Sequence, residues 1–186
     1  WAVGVYEGGV VALAHDHLMA PSWVLAYSFH GDLLARIFHP GHLERMALTE
    51  NGGRTWAVIA GVNNRLCLQA DEASEDCPST PVIVEIPLPF KDGQLPPGCA
   101  SGLAPAEARM WRVLPAGFRF HEVAAMHDGL GTVYLHGEDE SQGDCWAVWH
   151  LDPGGSLRAG GVGPECLDPP RAQLWSMAPE ACRRIF

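Results

Sequence analysis

Hydrophobic residues in this chain fall in short runs, each closed by a cluster of Gly, Asn, Asp or Pro. Trp1–Leu13 reads as a strand, a turn at Gly8-Gly9 and a second strand, because glycine supplies the positive φ that tight hairpins need. Trp56–Leu68 repeats this order with Asn63-Asn64 at the same offset. Phe120–Leu135 repeats it again, slightly longer, with Asp128-Gly129 as the turn.

The likeness continues downstream. In the second copy the acidic loop Asp71–Cys77 leads into Val82–Ile86, and in the third the loop Asp139–Cys145 leads into Trp146–Leu151. The first copy has His15–Ser22, then Trp23–Phe29. Each of these third strands ends in a Gly/Asp turn that returns to a leucine: Leu33, Leu95 and Leu157. A closing strand follows, Arg109–Pro115 matching Gln173–Pro179, with Arg45–Thr49 as the weaker equivalent. Turns at strand-length spacing predict antiparallel meanders.

The expected fold is therefore all-β. Three four-stranded antiparallel meanders, about 1–55, 56–119 and 120–186, form a single small propeller-like domain, with a β-sandwich or a three-sheet prism as the alternative. One meander cannot cover both of its faces, so neighbours supply the core. The aromatics at matching places (Trp1, Trp56 and Phe120; Trp23 and Trp146; Trp111 and Trp175) are expected between sheets. Closure would bring Trp1 close to Phe186.

Composition narrows the setting. A hydrophobic share of 47% with 18% charged residues describes a folded globule. No apolar run reaches the roughly 18–20 residues that cross a bilayer, so no integral membrane span is expected. Six cysteines, Cys67, Cys77, Cys99, Cys145, Cys166 and Cys182, in a Gly- and Pro-rich chain without C-x-x-C suit disulfides better than zinc. Six cysteines allow fifteen connectivities, and the spacing selects none; Cys67 with Cys77 could cross-link the strand ends around the first acidic loop, and Cys145 with Cys166 could staple the third unit, leaving Cys99 and Cys182. The chain starts at Trp1, as a mature exported form would, and Lys91 is the only lysine. A periplasmic protein whose signal peptide is absent from this chain is the expectation. A net charge of −10 disfavours nucleic acid and anionic membranes and favours a basic partner.

Thr49-Glu-Asn-Gly-Gly-Arg-Thr-Trp56 resembles the Asp-box, or BNR repeat, Ser/Thr-x-Asp-x-Gly-x-Thr-Trp. Thr stands for Ser and Asn for Asp. The resemblance covers these eight residues and a degenerate echo at Asp152–Ser156. It implies a hairpin in which Asn51 bonds its own backbone, glycine frees φ and Trp56 anchors the core. In families such as the sialidases this motif links the third and fourth strands of a propeller blade, whereas the repeat places it at a unit edge. Moving the boundary by one strand reconciles the two. The motif is structural and implies no catalysis.

No nucleophile elbow, P-loop or H-E-x-x-H is present. His15 and His17 flank Asp16 and would share one strand face, where both imidazoles could meet a metal, with His39 and His42 completing the site. No spacing fixes a third ligand, and neither a metal nor a cofactor is assigned. The acidic loops say more. Asp71, Glu72, Glu75 and Asp76 crowd Cys77, and Glu138, Asp139, Glu140 and Asp144 crowd Cys145. Stiff, acidic loops on one face would steer and bind a basic partner, or supply oxygen ligands to calcium. The Pro-rich loop Leu95–Cys99 is a further contact element.

With no active site in view, the expectation is a binding protein and not an enzyme. Small exported proteins with eroded propeller repeats, disulfides and no catalytic motif resemble in type the periplasmic immunity proteins of bacterial type VI secretion systems. That resemblance implies a cognate secreted effector, an amidase or phospholipase with a basic cleft, which the chain occludes. The alternative is a carbohydrate-binding or glycan-hydrolysing propeller domain. The directions of Trp23, Trp111, Trp146 and Trp175 discriminate, since buried tryptophans cannot stack on a sugar.

Overall fold

The computed structural model describes residues 1–15, 22–39, 41–63, 80–94, 108–114, 119–126, 128–139, 143–151, 156–158 and 171–174. Among these every regular element is a strand, and no helix long and apolar enough to cross a membrane occurs. In the first sheet, β1 (Ala2–Tyr6), β2 (Gly9–His15), β3 (Ser22–Tyr27) and β4 (Leu33–His39) form an antiparallel meander, and β8 (Gly93–Gln94) pairs in parallel with β4. The second sheet contains β5 (His42–Asn51), β6 (Arg54–Asn63), β7 (Thr80–Pro87), β9 (Arg109–Leu114) and β14 (Arg171–Leu174). Its spatial order is β14-β9-β7-β6-β5, antiparallel throughout. The third sheet is the meander β10 (Arg119–Ala125), β11 (Thr132–Asp139), β12 (Gly143–His150) and β13 (Ser156–Arg158).

The all-β, antiparallel expectation holds, with three differences of phase. The His42–Asn51 strand belongs to the second sheet, so the first sheet ends one strand earlier than position 55. The segment Thr49–Trp56 that resembles an Asp-box then lies inside a sheet, across the β5–β6 hairpin, and joins that sheet's first two strands. Gly52 and Gly53 both have positive φ, 61° and 73°, which is the demand of the two-residue turn that matches strand twist. The segment read as closing the third unit starts earlier, at Arg171, and pairs with β9 of the second sheet. The first hairpin also turns at Glu7-Gly8, one residue ahead of Gly8-Gly9. Gly9 is needed inside the ladder, because a Cβ there would lie 2.0 Å from the Tyr27 carbonyl oxygen.

The second sheet is the middle layer of a stack, and alternation explains how. In β6, Ala57 and Ile59 face the first sheet while Val58 and Ala60 face the third. In β7, Val82, Val84 and Ile86 face the first sheet and Ile83 the third. In β9, Met110 goes one way and Trp111 and Val113 the other. Two cores result. The first also holds Val11, Leu13, Val24 and Ile37, and the second Phe120, Val133, Leu135 and Trp149. Each fully buried side chain of this size contributes about 1.5–3 kcal/mol.

Polar contacts fix the layers in place. Ser22 Oγ donates to the Gly41 carbonyl at 3.0 Å and accepts the Leu43 N–H at 2.8 Å, pinning the crossing from β4 to β5. Asn51 Nδ2 donates to the Leu151 carbonyl, and Arg45 Nε donates to the His121 carbonyl at 3.0 Å. Asn51 thus ties the β5–β6 hairpin to the third sheet.

Glu85 is the charged group of the second core. It is fully buried on β7 and accepts from Trp111 Nε1 at 3.0 Å and from Trp149 Nε1 at 2.8 Å. Arg109 Nε forms an ion pair with it at 2.7 Å. The two indoles meet edge to face at 5.3 Å. One carboxylate therefore joins a tryptophan of the middle sheet to a tryptophan of the third. Burial raises the Glu85 carboxyl above its ordinary value, against the two indole donors and the Arg109 charge, which lower it.

Glu85→Ala should cost about 2–4 kcal/mol, because it leaves two indole N–H groups and a partly buried guanidinium without their acceptor. The raised value also sets a sign. Above pH 4.5 the unfolded chain releases this proton more readily than the folded one. The contribution of Glu85 to stability is therefore greatest below that pH and declines as pH rises. Urea unfolding across that range should show the decline in the native chain and a flatter profile in Glu85→Gln.

Candidate binding face

The outer face of the third sheet gathers exposed polar and aromatic side chains. Along β11, Val133 and Leu135 are buried against the middle sheet, so Tyr134, His136 and Glu138 point away from it. Tyr134 is 40% exposed. The neighbouring strand β10 carries a bulge between Phe120 and Glu122. Phe120 is buried and Val123 packs on the same core, while both His121 and Glu122 are exposed. The extra residue thus brings two consecutive polar side chains to one face, which strict alternation forbids.

Glu122, Ala124, Tyr134 and His136 line a shallow groove of about 340 Å³. Beside it, His121 Nε2 lies 3.5 Å from Glu138 Oε2, and the His121 and His136 rings are 5.5 Å apart, centre to centre. The ensemble offers a phenol, two imidazoles and two carboxylates on a rigid sheet. It can pair with cationic groups and hydrogen-bond polar ones, while Tyr134 and Ala124 add apolar contact.

At the end of this face the β11–β12 hairpin carries the second acidic loop. Glu138 pairs in register with Asp144, and Asp139 with Gly143. On its other side Glu138 is in register with the exposed Arg119 of β10. Of the residues predicted to bind a partner, Glu138 has its side chain placed here, and Asp139 and Asp144 are placed by their strands. Asp71, Glu72, Glu75, Asp76 and Glu140 lie outside the described residues. Cys145 lies on β12 opposite Gly137, and Cys67, Cys77, Cys99, Cys166 and Cys182 lie outside the described residues, as do Leu95–Cys99 and Phe186.

At the opposite turn of the sheet, Asp128 accepts the Leu130 N–H at 2.9 Å. Hydrogen bonds from Thr132 and Leu130 hold its carboxyl below the usual range. This loop meets Asn51 through the Asn51–Leu130 bridge.

The histidines considered for a metal are partly assembled. The His15 and His42 rings meet edge to face at 4.6 Å, and His42 Nε2 lies 3.5 Å from Glu44. His39 is buried at the end of β4, in register with Ser22. His17 lies outside the described residues. Among the described residues no group of three His, Cys, Asp or Glu side chains is placed to hold a metal ion.

The tryptophans separate into two sets. Trp111 and Trp149 are buried between the second and third sheets, and Trp56 packs against the same core. Trp23, 36% exposed, is on the outer face of the first sheet, and Trp1 is 82% exposed. Trp146 is on β12 in register with His136, and Trp175 is outside the described residues.

Compared with protein-family models, with curated proteins and with solved structures, the chain finds no match in any of the three.

A face held for binding should be dispensable for folding. Glu122→Ala, Tyr134→Ala and His136→Ala should each shift stability by no more than about 0.5 kcal/mol. Trp149→Ala, on the same sheet but facing inward, should cost about 3–5 kcal/mol. Denaturant unfolding of the four variants checks the contrast.

Proposed function

We propose that this chain is a binding protein of the inhibitor type, which engages a basic surface of a partner enzyme with the outer face of its third sheet. The observation that carries this reading is the exposed group Tyr134, His136, Glu122 and Glu138, set on a sheet whose reverse side is anchored through Trp149 to Glu85. A rigid platform loses little entropy on binding, and an exposed aromatic ringed by charges is the make-up of an interface anchor. The acidic hairpin tip and the net charge of −10 add steering toward a cationic cleft.

The three stacked sheets are read as blades of a propeller-like arrangement, with the Asp-box-like hairpin as one of its turns. Within that reading the partner is a secreted antibacterial effector, an amidase or phospholipase. The chain acts in the bacterial periplasm as its immunity protein, with its cysteines in disulfides. The carbohydrate-binding alternative keeps Tyr134 and its groove as support, and loses Trp111, whose indole is turned into the core.

A pull-down from bacterial envelope extract should recover one stoichiometric enzyme whose activity the chain abolishes. Elution by sugar with no protein partner would favour the alternative. Tyr134→Ala and Glu138→Lys should each weaken capture by about tenfold or more, near 1.4 kcal/mol. Added salt should slow association of the native chain.

A further inference from the structure

We propose that the outer face of the first sheet is a self-association interface, covered by the same face of a second copy of this chain. The inference is independent of the function proposed above, because it concerns the opposite end of the stack.

The strands of the first sheet are patterned for burial on both sides. In β2, Val10-Val11-Ala12-Leu13-Ala14 is apolar without a break, and in β3 so is Trp23-Val24-Leu25-Ala26-Tyr27. Unbroken apolar strands mark sheets with both faces covered. The middle sheet shows the rule in this same molecule, since Ala57–Ala60 and Val82–Val84 are apolar throughout and buried on both sides. The third sheet shows its converse, since β11 alternates and its outer residues are polar or amphipathic. The first sheet has the composition of the middle one and the exposure of an end one. Val3 is 66% exposed, Val5 68%, Leu34 56% and Trp23 36%, with Leu25 and Phe38 between them.

Charge and size select the occupant. Among the outward side chains of β1 to β4 the single charge is Arg36, and its guanidinium lies over the Trp23 ring, 5.9 Å from the centre. A strongly acidic or basic partner finds almost nothing to pair with here. A second copy presents the same nearly uncharged face and meets no cluster of like charge. Four strands about 4.8 Å apart and about 20 Å long project roughly 400 Å² on each copy. Side-chain relief raises the accessible area toward the ~600 Å² per copy at which specific interfaces begin. Face-to-face packing of two such sheets is the geometry of a β-sandwich, and one patch meeting itself gives a two-fold dimer. The two third-sheet faces are then left free at opposite ends.

Sedimentation of the whole chain over micromolar to near-millimolar concentrations tests this. The expected result is a reversible shift from 20.1 kDa toward twice that mass. Val5→Lys and Leu34→Lys, each placing a charge on the face, should weaken the dimer by about tenfold or more. Tyr134→Lys at the other end should leave it unchanged. A monomer at every concentration overturns the proposal, and so does a dimer that neither face variant weakens. Should either variant fail to fold, methyl NMR of Val3 and Val5 in the native chain decides. Their signals should move with concentration, and signals that stay fixed refute self-association.

Discussion

A sheet with a neighbour on each side has no solvent face, and the middle sheet of this protein lives under that constraint. The side chains at the centre of β6 and β7 must then pack or find a polar partner inside. Val58, Ile59 and Ala60 satisfy it by being apolar, Gly61 by being small enough for β5 to approach closely, and Glu85 by meeting three donors. The outer sheets each have one relaxed face, and the character of those faces differs. One is apolar and the other carries the polar group around Tyr134.

The placement of the candidate face follows from that stack. Trp149 and Leu135 hold the third sheet against the middle one, so alternation sends Tyr134 and His136 outward with no freedom to choose. The bulge at His121 departs from alternation, and it adds one polar side chain to those that β10 presents outward. Arg45, reaching from β5 to the His121 carbonyl, ties that irregular point to the middle sheet. The binding chemistry therefore rests on packing several residues away from it.

Much of the architecture was legible in the sequence, and the exceptions share a cause. Hairpins signal themselves locally, so the Trp1–Leu13 pair, the turn at Gly52-Gly53 and the acidic β11–β12 hairpin could be read directly. The passage from β4 to β5 could not. It crosses from one sheet to the next through Pro40-Gly41, a link as short as a hairpin turn, and a short polar link looks the same whether the chain folds back or crosses over. The pairing of β14 with β9 was hidden for a related reason. The two strands are similar in sequence, so they read as equivalents in successive units, whereas they are partners in one sheet. At the site, Glu138, Asp139 and Asp144 stood out because acids cluster visibly. Tyr134 and His136 did not, although Val133-Tyr134-Leu135-His136 alternates in the way that marks a half-exposed strand. His121 was beyond reach, since a bulge depends on register with the partner strand.

Glu85 also joins two chromophores. The indoles of Trp111 and Trp149 lie 5.3 Å apart at 64°, fixed by one acceptor and contributed by different layers. Transitions that close and that angled couple, so the optical signal of this pair depends on the two layers staying docked. The molecule thereby carries an intrinsic optical gauge of its own assembly.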